Sequence, residues 1–430
     1  MRTAITHAHV VVGNGRTIDD GLVIVNGDRI ERVAPNDSAT DGSFDLVVDL
    51  EGRTLMPGMI DAHIHMVGGD KSLGFDGEPA VMRTDSLAVS RALLEGVAAA
   101  RTTLEAGFTT VREVGGRDYH DVALKRAQRL GLVIGPRMLV AGPGVWPTGG
   151  SGAHLERGVG IDSAADARRR VRELVERGVD VIKIVSADGP PGVDAGTTVY
   201  PTEDEIVVTF AEATRLGKIK AAHAMAPEAI DVVVRARTDT VEHAWYMSEE
   251  NCHTVLQHGA YLVGTVSNAW AMVNNGPKIG FPWTEMMERD LPGIYDRYRM
   301  AIELGVKIVA GTDVGGNPTH WYGENARELE AYVTCGMSTI DAVASATLVA
   351  ATALRLHESI GSVEQGKLAD LVVIDGDPLT DISLTRRNVV AVLQDGVVRR
   401  DDLGIFHPGL ARRRGDPPTA ALVAGARELS

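Results

Sequence analysis

The sequence predicts an α/β protein built on a (β/α)8 TIM-type barrel, with a small β-sandwich domain formed from both chain ends. Three observations carry this. Residues 3–12, 21–26, 29–34 and 45–49 are short β-like runs separated by Gly, Asn, Asp and Pro turns, an all-β opening. From residue 57, apolar strand-like runs alternate with helical segments, the pattern of βα units on a parallel sheet. Residues 361–375 and 389–398 then return to strand-like runs that would complete the N-terminal sheet. The expected layout is 1–56 with 357–405 as the small domain, 57–356 as the barrel and 406–430 as a tail.

The barrel strands are expected at 60–65, 109–114, 137–141, 179–185, 220–224, 240–244, 261–266 and 306–313. Helical runs such as 88–105, 164–177 and 203–216 lie between them and stop at Gly107, Gly178 and Gly217. Glycine just past a helix is the usual left-handed terminator. Eight strands with helical crossovers match the size of a barrel with insertions. One insertion is the glycine-rich 142–160. The other is 268–292, with Trp270, Trp283 and several Met, read as an apolar lid or a subunit contact.

Composition narrows the partners. The chain has 43 basic and 58 acidic residues and a formal charge of −15, which repels phosphate backbones and anionic lipid surfaces. The expected partner is a small-molecule substrate, with no nucleic acid and no membrane. Cys252 and Cys335 are far apart in sequence, so neither a disulfide framework nor a thiolate metal cluster is suggested. Residues 1–10 lack a charged segment followed by an apolar one, and no run of 18 apolar residues occurs. A cytoplasmic homo-oligomer is the expectation. The basic cluster Arg412, Arg413 and Arg414 reads as a solvated or subunit-contacting face.

The chemistry emerges at strand ends. Active sites of such barrels lie at the C-terminal ends of the strands, where residues distant in sequence converge. His63 and His65 end the first barrel strand, two residues apart on one face. Alone, such a pair is more often a satisfied core feature than a ligand pair. His223, His243 and Asp313 lie at the ends of the fifth, sixth and eighth strands, each open to a plainer reading as core residue, turn or cap. Lys183, in the middle of the apolar fourth strand, is harder to dismiss. A buried lysine is costly unless paired or neutral, and a neutral amine can add carbon dioxide to form a carbamate that bridges two metals.

Taken together, His63-X-His65, Lys183, His223, His243 and Asp313, in that strand order, closely resemble the amidohydrolase superfamily of metal-dependent hydrolases. The phrases at 57–65, 109–115, 311–315 and 366–372 are similar to its recurring segments. Within it, the chain looks most similar to the imidazolonepropionase-like group that includes Xaa-Pro dipeptidases. The resemblance implies two divalent metals, with zinc the default. His63, His65 and Asp313 would bind one, His223 and His243 the other, and carboxylated Lys183 would bridge them. A metal-bridging hydroxide would attack an amide carbonyl, and Asp313 would carry the proton to the leaving amine.

Substrate choice is less legible. Candidate contacts at the barrel mouth are Arg112 and Glu113 after the second strand, His154 in the glycine loop, Tyr246 after the sixth, and Asn317 or His320 after the eighth. Related sequences often carry Gly-Gly-His where this chain has Gly149-Gly-Ser-Gly-Ala-His154, and a histidine where Tyr322 stands. The leading reading is hydrolysis of a peptide-like or N-acyl amino acid amide. The alternatives are a carbamate, urea or lactone at the same centre, and a non-catalytic barrel used for interaction.

Overall fold

The computed structural model describes residues 1–38, 42–67, 86–148, 160–186 and 201–406. His154 and the Arg412–Arg414 cluster therefore lie outside the described residues. The chain opens with β1 (Arg2–Val11), β2 (Thr17–Asn26), β3 (Arg29–Pro35), β4 (Leu46–Asp49) and β5 (Thr54–Pro57). Then come the barrel strands β6 (Met59–Ile64), β7 (Phe108–Glu113), β8 (Arg137–Val140), β9 (Val181–Val185), β10 (Ile219–Ala224), β11 (Thr240–His243), β12 (Tyr261–Val263) and β13 (Ile308–Val309). The final strands are β14 (Leu371–Ile374), β15 (Val389–Gln394) and β16 (Val397–Asp401).

Helices on the outside are α1 (Ser86–Glu105), α2 (His120–Arg129), α3 (Ala164–Arg177), α4 (Glu203–Arg215), α5 (Pro227–Arg235) and α6 (Glu249–His258). They continue as α7 (Val266–Ile279), α8 (Thr284–Glu303), α9 (Arg327–Thr334), α10 (Thr339–Ser345), α11 (Leu348–Ala353) and α12 (Leu384–Arg387).

Both chain ends share one sheet, ordered β16-β15-β14-β5-β1-β2-β3 with β4 on β1. The join is β5, parallel to β1 and antiparallel to β14. Period-two alternation directs Ile5, Val10, Val23, Val25, Leu55, Leu371, Val373 and Leu393 into a single core. The β2–β3 turn closes over it, with Ile30 N donating to Lys367 O at 2.8 Å and Ala369 N to Asp28 O at 2.8 Å.

The barrel strands run parallel, β6-β7-β8 in one ladder and β9 to β13 in another. Hydrogen bonds close both seams. Asp180 N donates to Val140 O at 2.8 Å and Val185 N to Val145 O at 3.1 Å; Ala62 N donates to Ala310 O at 2.9 Å and His65 N to Val314 O at 2.9 Å. Arg137 ties the barrel to the small domain through Asp370 and Asp395, each at 2.6 Å.

Three expectations need correction. β12 stops at Val263 and β13 at Val309, short of the expected 266 and 313, and the chain beyond them turns through left-handed Thr265 (φ 49°) and Asp313 (φ 56°). β6 ends at Ile64, so His65 follows the strand rather than belonging to it. The 268–292 insertion forms most of α7 and the first half of α8, whose Ala269, Met272, Met287 and Leu291 enter the main core.

Helices α3 and α4 are linked through Glu212, which accepts from Arg215 Nη2 and Arg172 Nε, both at 2.6 Å. The hydrogen bonds from Arg215 and then Arg172 hold its carboxyl down at about 2. A depressed folded pKa contributes stability that is present above the ordinary carboxylate value and lost as pH falls towards 2. Glu212→Gln is expected to flatten that acid limb, with little change in urea midpoint below pH 2 relative to the parent. Parallel midpoint curves from pH 6 to about 2 would contradict the linkage.

Candidate metal centre

The structure gathers four histidines, one lysine and one aspartate at the C-terminal end of the barrel. His63 lies on β6, His223 on β10 and His243 at the end of β11. Their rings form a contiguous cluster: His223–His243 centroids are 4.3 Å apart, His63–His243 4.9 Å and His63–His65 5.4 Å. Asp313 Oδ1 lies 3.4 Å from His63 Nε2 and 3.2 Å from His65 Nε2. One donor atom from each of His63, His65 and Asp313 falls within 4.8 Å of the others, close enough to hold one cation.

Local backbone is shaped to bring these groups in. His243 (φ 72°), Ala244 (φ 52°) and Asp313 (φ 56°) all occupy the left-handed region, which costs a non-glycine residue energy and is common at functional sites. Gly315 (φ 83°) passes against His65, where a Cβ would sit 1.9 Å from the His65 carbonyl oxygen. Tyr322, standing where a histidine was expected from related sequences, donates to the same carbonyl at 2.6 Å.

Two of the four imidazoles are hydrogen-bonded from behind, and a third faces a carboxylate. His63 Nδ1 pairs with Glu242 Oε2 at 2.7 Å, and His65 Nδ1 lies 3.5 Å from Glu113 Oε1. His243 Nδ1 pairs with Thr265 Oγ1 at 2.8 Å. With Nδ1 occupied, Nε2 is the nitrogen offered to the cluster. His223 Nε2 is buried and has no hydrogen-bond partner among the described residues. Such a nitrogen is costly to leave unsatisfied, and a cation is the natural partner for it.

Electrostatics at His223 and His243 agree with this reading. Burial, then the Lys183 and His63 charges, push His223 down to about 3, and burial with His223 and His63 holds His243 well below its ordinary value. Both rings are therefore neutral near pH 7, the form that ligates metals. Burial opposes a charge on His65, but Asp313 and Glu113 raise it to about 9. Asp313 is held well below the usual range, since His63 and His65 outweigh its burial. Lys183 is only 5% exposed, and burial lowers its amine to about 8 against the opposing pull of Glu242.

The proposed substrate contacts fall in different places. Arg112 is wholly enclosed beneath His63 and shows no surface to a substrate. It donates to Ala62 O at 2.5 Å, Thr240 Oγ1 at 2.9 Å and Glu242 Oε1 at 2.8 Å. Glu113 is equally buried and accepts from Met66 N as well as facing His65. Tyr246 donates to Asp290 on α8 at 2.9 Å. Asn317 donates to Asn268 Oδ1, and Asn268 Nδ2 donates to Asp313 Oδ2 at 2.5 Å. His320 is buried beyond the eighth strand, its ring held down at about 4 chiefly by that burial.

Glu242, Asn268 and Asp61 were not singled out from sequence. Glu242 directly precedes His243, and a carboxylate inside the short strand Thr240–His243 was the available signal. Asp61 joins the first and last barrel strands, accepting from Thr312 Oγ1 at 2.6 Å and Asn325 Nδ2 at 2.8 Å. Nothing in the sequence pointed to Asn268, which lies inside the insertion.

A ring of histidines and an aspartate at the end of a parallel barrel is an arrangement able to hold a cation in a hydrolase. The match to known proteins is consistent with that class: the Amidohydrolase family profile covers residues 54–399, and the chain belongs to this family of hydrolases. An ochratoxinase from Aspergillus niger is 26% identical over 362 residues, spanning 77% of this chain and 72% of the relative. An imidazolonepropionase from Pseudomonas putida is 25% identical over 417 residues, spanning 86% and 92%. The crystal structure of a Xaa-Pro dipeptidase with methionine bound in its active site superposes with a TM-score of 0.83 at 28% identity, covering 93% of this chain and 99% of that one.

Removing Arg112 would leave the Glu242 carboxylate buried without its cation. Arg112→Met is expected to destabilise the protein by about 3–5 kcal/mol in urea unfolding. A loss below about 1 kcal/mol would show that the pair is not what holds this end of the barrel.

Proposed function

We propose that the protein is a binuclear, zinc-dependent amide hydrolase acting on peptide-like or N-acyl amino acid substrates. The observation that carries the proposal is the buried His223 Nε2, without a partner among the described residues, beside His63 and His243, whose Nδ1 atoms are hydrogen-bonded from behind, and His65, whose Nδ1 faces Glu113. Imidazole and carboxylate donors suit zinc. His63, His65 and Asp313 would hold one ion and His223 and His243 the second. Lys183, as its carbamate, would lie between them. Its amine, lowered to about 8, has a neutral fraction at physiological pH that is able to add carbon dioxide.

Bound zinc supplies a Lewis acid for the substrate carbonyl and acidifies water. The protein's own groups do the rest. Asp313 is ionised at neutral pH and positioned by Asn268, so a carboxylate oxygen is available to take a proton from the attacking water and deliver it to the leaving nitrogen. Glu242 and Glu113 keep His63 and His65 in one orientation throughout, and the Arg112 charge keeps Glu242 ionised against its burial. The similarity to an ochratoxinase, an imidazolonepropionase and a Xaa-Pro dipeptidase supports cleavage of a carbon–nitrogen bond.

A hydrolysis screen of the zinc-loaded enzyme tests the substrate class, with dipeptides, N-acyl amino acids, aryl carbamates, ureas and lactones compared and products identified by mass. Amide turnover at the highest kcat/KM is expected. Turnover confined to carbamates, ureas or lactones would overturn the amide assignment while leaving the hydrolase class intact. Separately, Lys183→Ala is expected to abolish activity with an unchanged circular dichroism spectrum; a fully active variant would refute the bridging role.

A further inference from the structure

A second polar pocket lies at the other end of the barrel, where β10, β11 and β12 begin. It has a volume of about 280 Å³ and is lined by Lys220, Arg237, Asp239, His258, Tyr261 and Arg355. Three fixed cations thus surround one carboxylate, in a chain whose overall formal charge is −15. Asp239 serves two of them, with Oδ2 3.0 Å from Arg355 Nη2 and Oδ1 3.4 Å from Lys220 Nζ. The Arg237 guanidinium has neither an ion pair nor a hydrogen bond among the described residues. Nδ1 of His258 is likewise buried and unpartnered.

The backbone makes the arginines more telling. Helices α1 to α4 and α6 to α9 are each followed by a left-handed glycine, at Gly107, Gly131, Gly178, Gly217, Gly259, Gly280, Gly305 and Gly336. After α5 and α11 the same left-handed position is filled by Arg237 (φ 70°) and Arg355 (φ 60°). An arginine is strained where glycine is free, so its presence there needs a side-chain reason. Both of these arginines line this one pocket.

We infer that the pocket binds a small phosphoryl-bearing anion, either inorganic phosphate or a small phosphate monoester. Its excess of about two positive charges matches the charge of about −1.5 to −2 on such a group at neutral pH. Arginine forks also fit phosphate oxygens better than a point cation does. The volume leaves room for a short carbon chain on the phosphate. The site is separate from the histidine cluster, because Lys220 and Tyr261 stand at the starts of the strands whose ends face that cluster.

Isothermal titration of the full-length protein with inorganic phosphate, glycerol phosphate and succinate tests the inference. Glycine is the residue best suited to the left-handed backbone, so Arg237→Gly and the double variant Arg237→Gly/Arg355→Gly are expected to fold. Arg237→Gly alone removes a cation that makes no ion pair, which separates binding from any structural effect of breaking the Arg355–Asp239 contact. The parent is expected to bind both phosphates and not succinate, with affinity at least tenfold weaker in the single variant and lost in the double. A tighter fit for glycerol phosphate would identify an esterified ligand, and equal affinities the phosphate ion. His223→Ala should leave this binding unchanged. Phosphate affinity equal in parent and double variant, sensitivity to His223→Ala instead, or succinate bound as tightly as phosphate would overturn the inference.

Discussion

The ion pair between Arg112 and Glu242 is the constraint on which the catalytic end of the barrel depends. Both side chains have no exposed surface, and a charge so deeply desolvated is tolerable only when matched. The pair also reaches across the barrel: Arg112 sits on β7, Glu242 on β11, and the Glu242 carboxylate continues to His63 on β6. The paired strands β6 and β7 are thereby fixed to β11, which belongs to the other ladder. A second carboxylate, Glu113, faces His65 from the end of β7. The two acids explain why both Nε2 atoms converge on Asp313 rather than on solvent.

Around this frame, backbone conformation is spent at the points where side chains must turn inward. His243, Ala244, Thr265 and Asp313 all sit at the ends of barrel strands in left-handed geometry. That cost is tolerated because the surrounding structure holds each segment: Tyr298 on α8 donates to the His243 carbonyl at 2.5 Å, and Asp61 bonds the backbone and hydroxyl of Thr312. The insertion helices are therefore structural supports of the site. Asn268, from α7, contributes directly by holding Asp313.

Much of this was legible from residue order. An apolar run punctuated by a polar side chain at its C-terminal end marks a barrel strand feeding an active site, and His63, His223 and His243 follow that rule, while Lys183 stood out as a lone charge inside an apolar strand. Asp313 was found through its Gly-Thr-Asp setting, although it stands beyond the short β13. What was hidden is pairing across the barrel. Arg112 reads as a polar residue near the mouth, yet alternation along β7 turns it into the interior, where its partner lies 130 positions away. Glu242 is masked by the more conspicuous histidine after it. Strand ends at Val263 and Val309 were misplaced because apolar residues such as Val266 and Ala310 continue the pattern past the last ladder pair.

The most direct test of the account is a crystal structure of the protein grown with zinc and bicarbonate, with anomalous scattering recorded on both sides of the zinc edge. The account predicts two zinc peaks within the cluster, one contacted by His63, His65 and Asp313 and the other by His223 and His243, with carbamate density on Lys183 between them. A single peak beside a bare Lys183 amine, or zinc bound elsewhere, would contradict it.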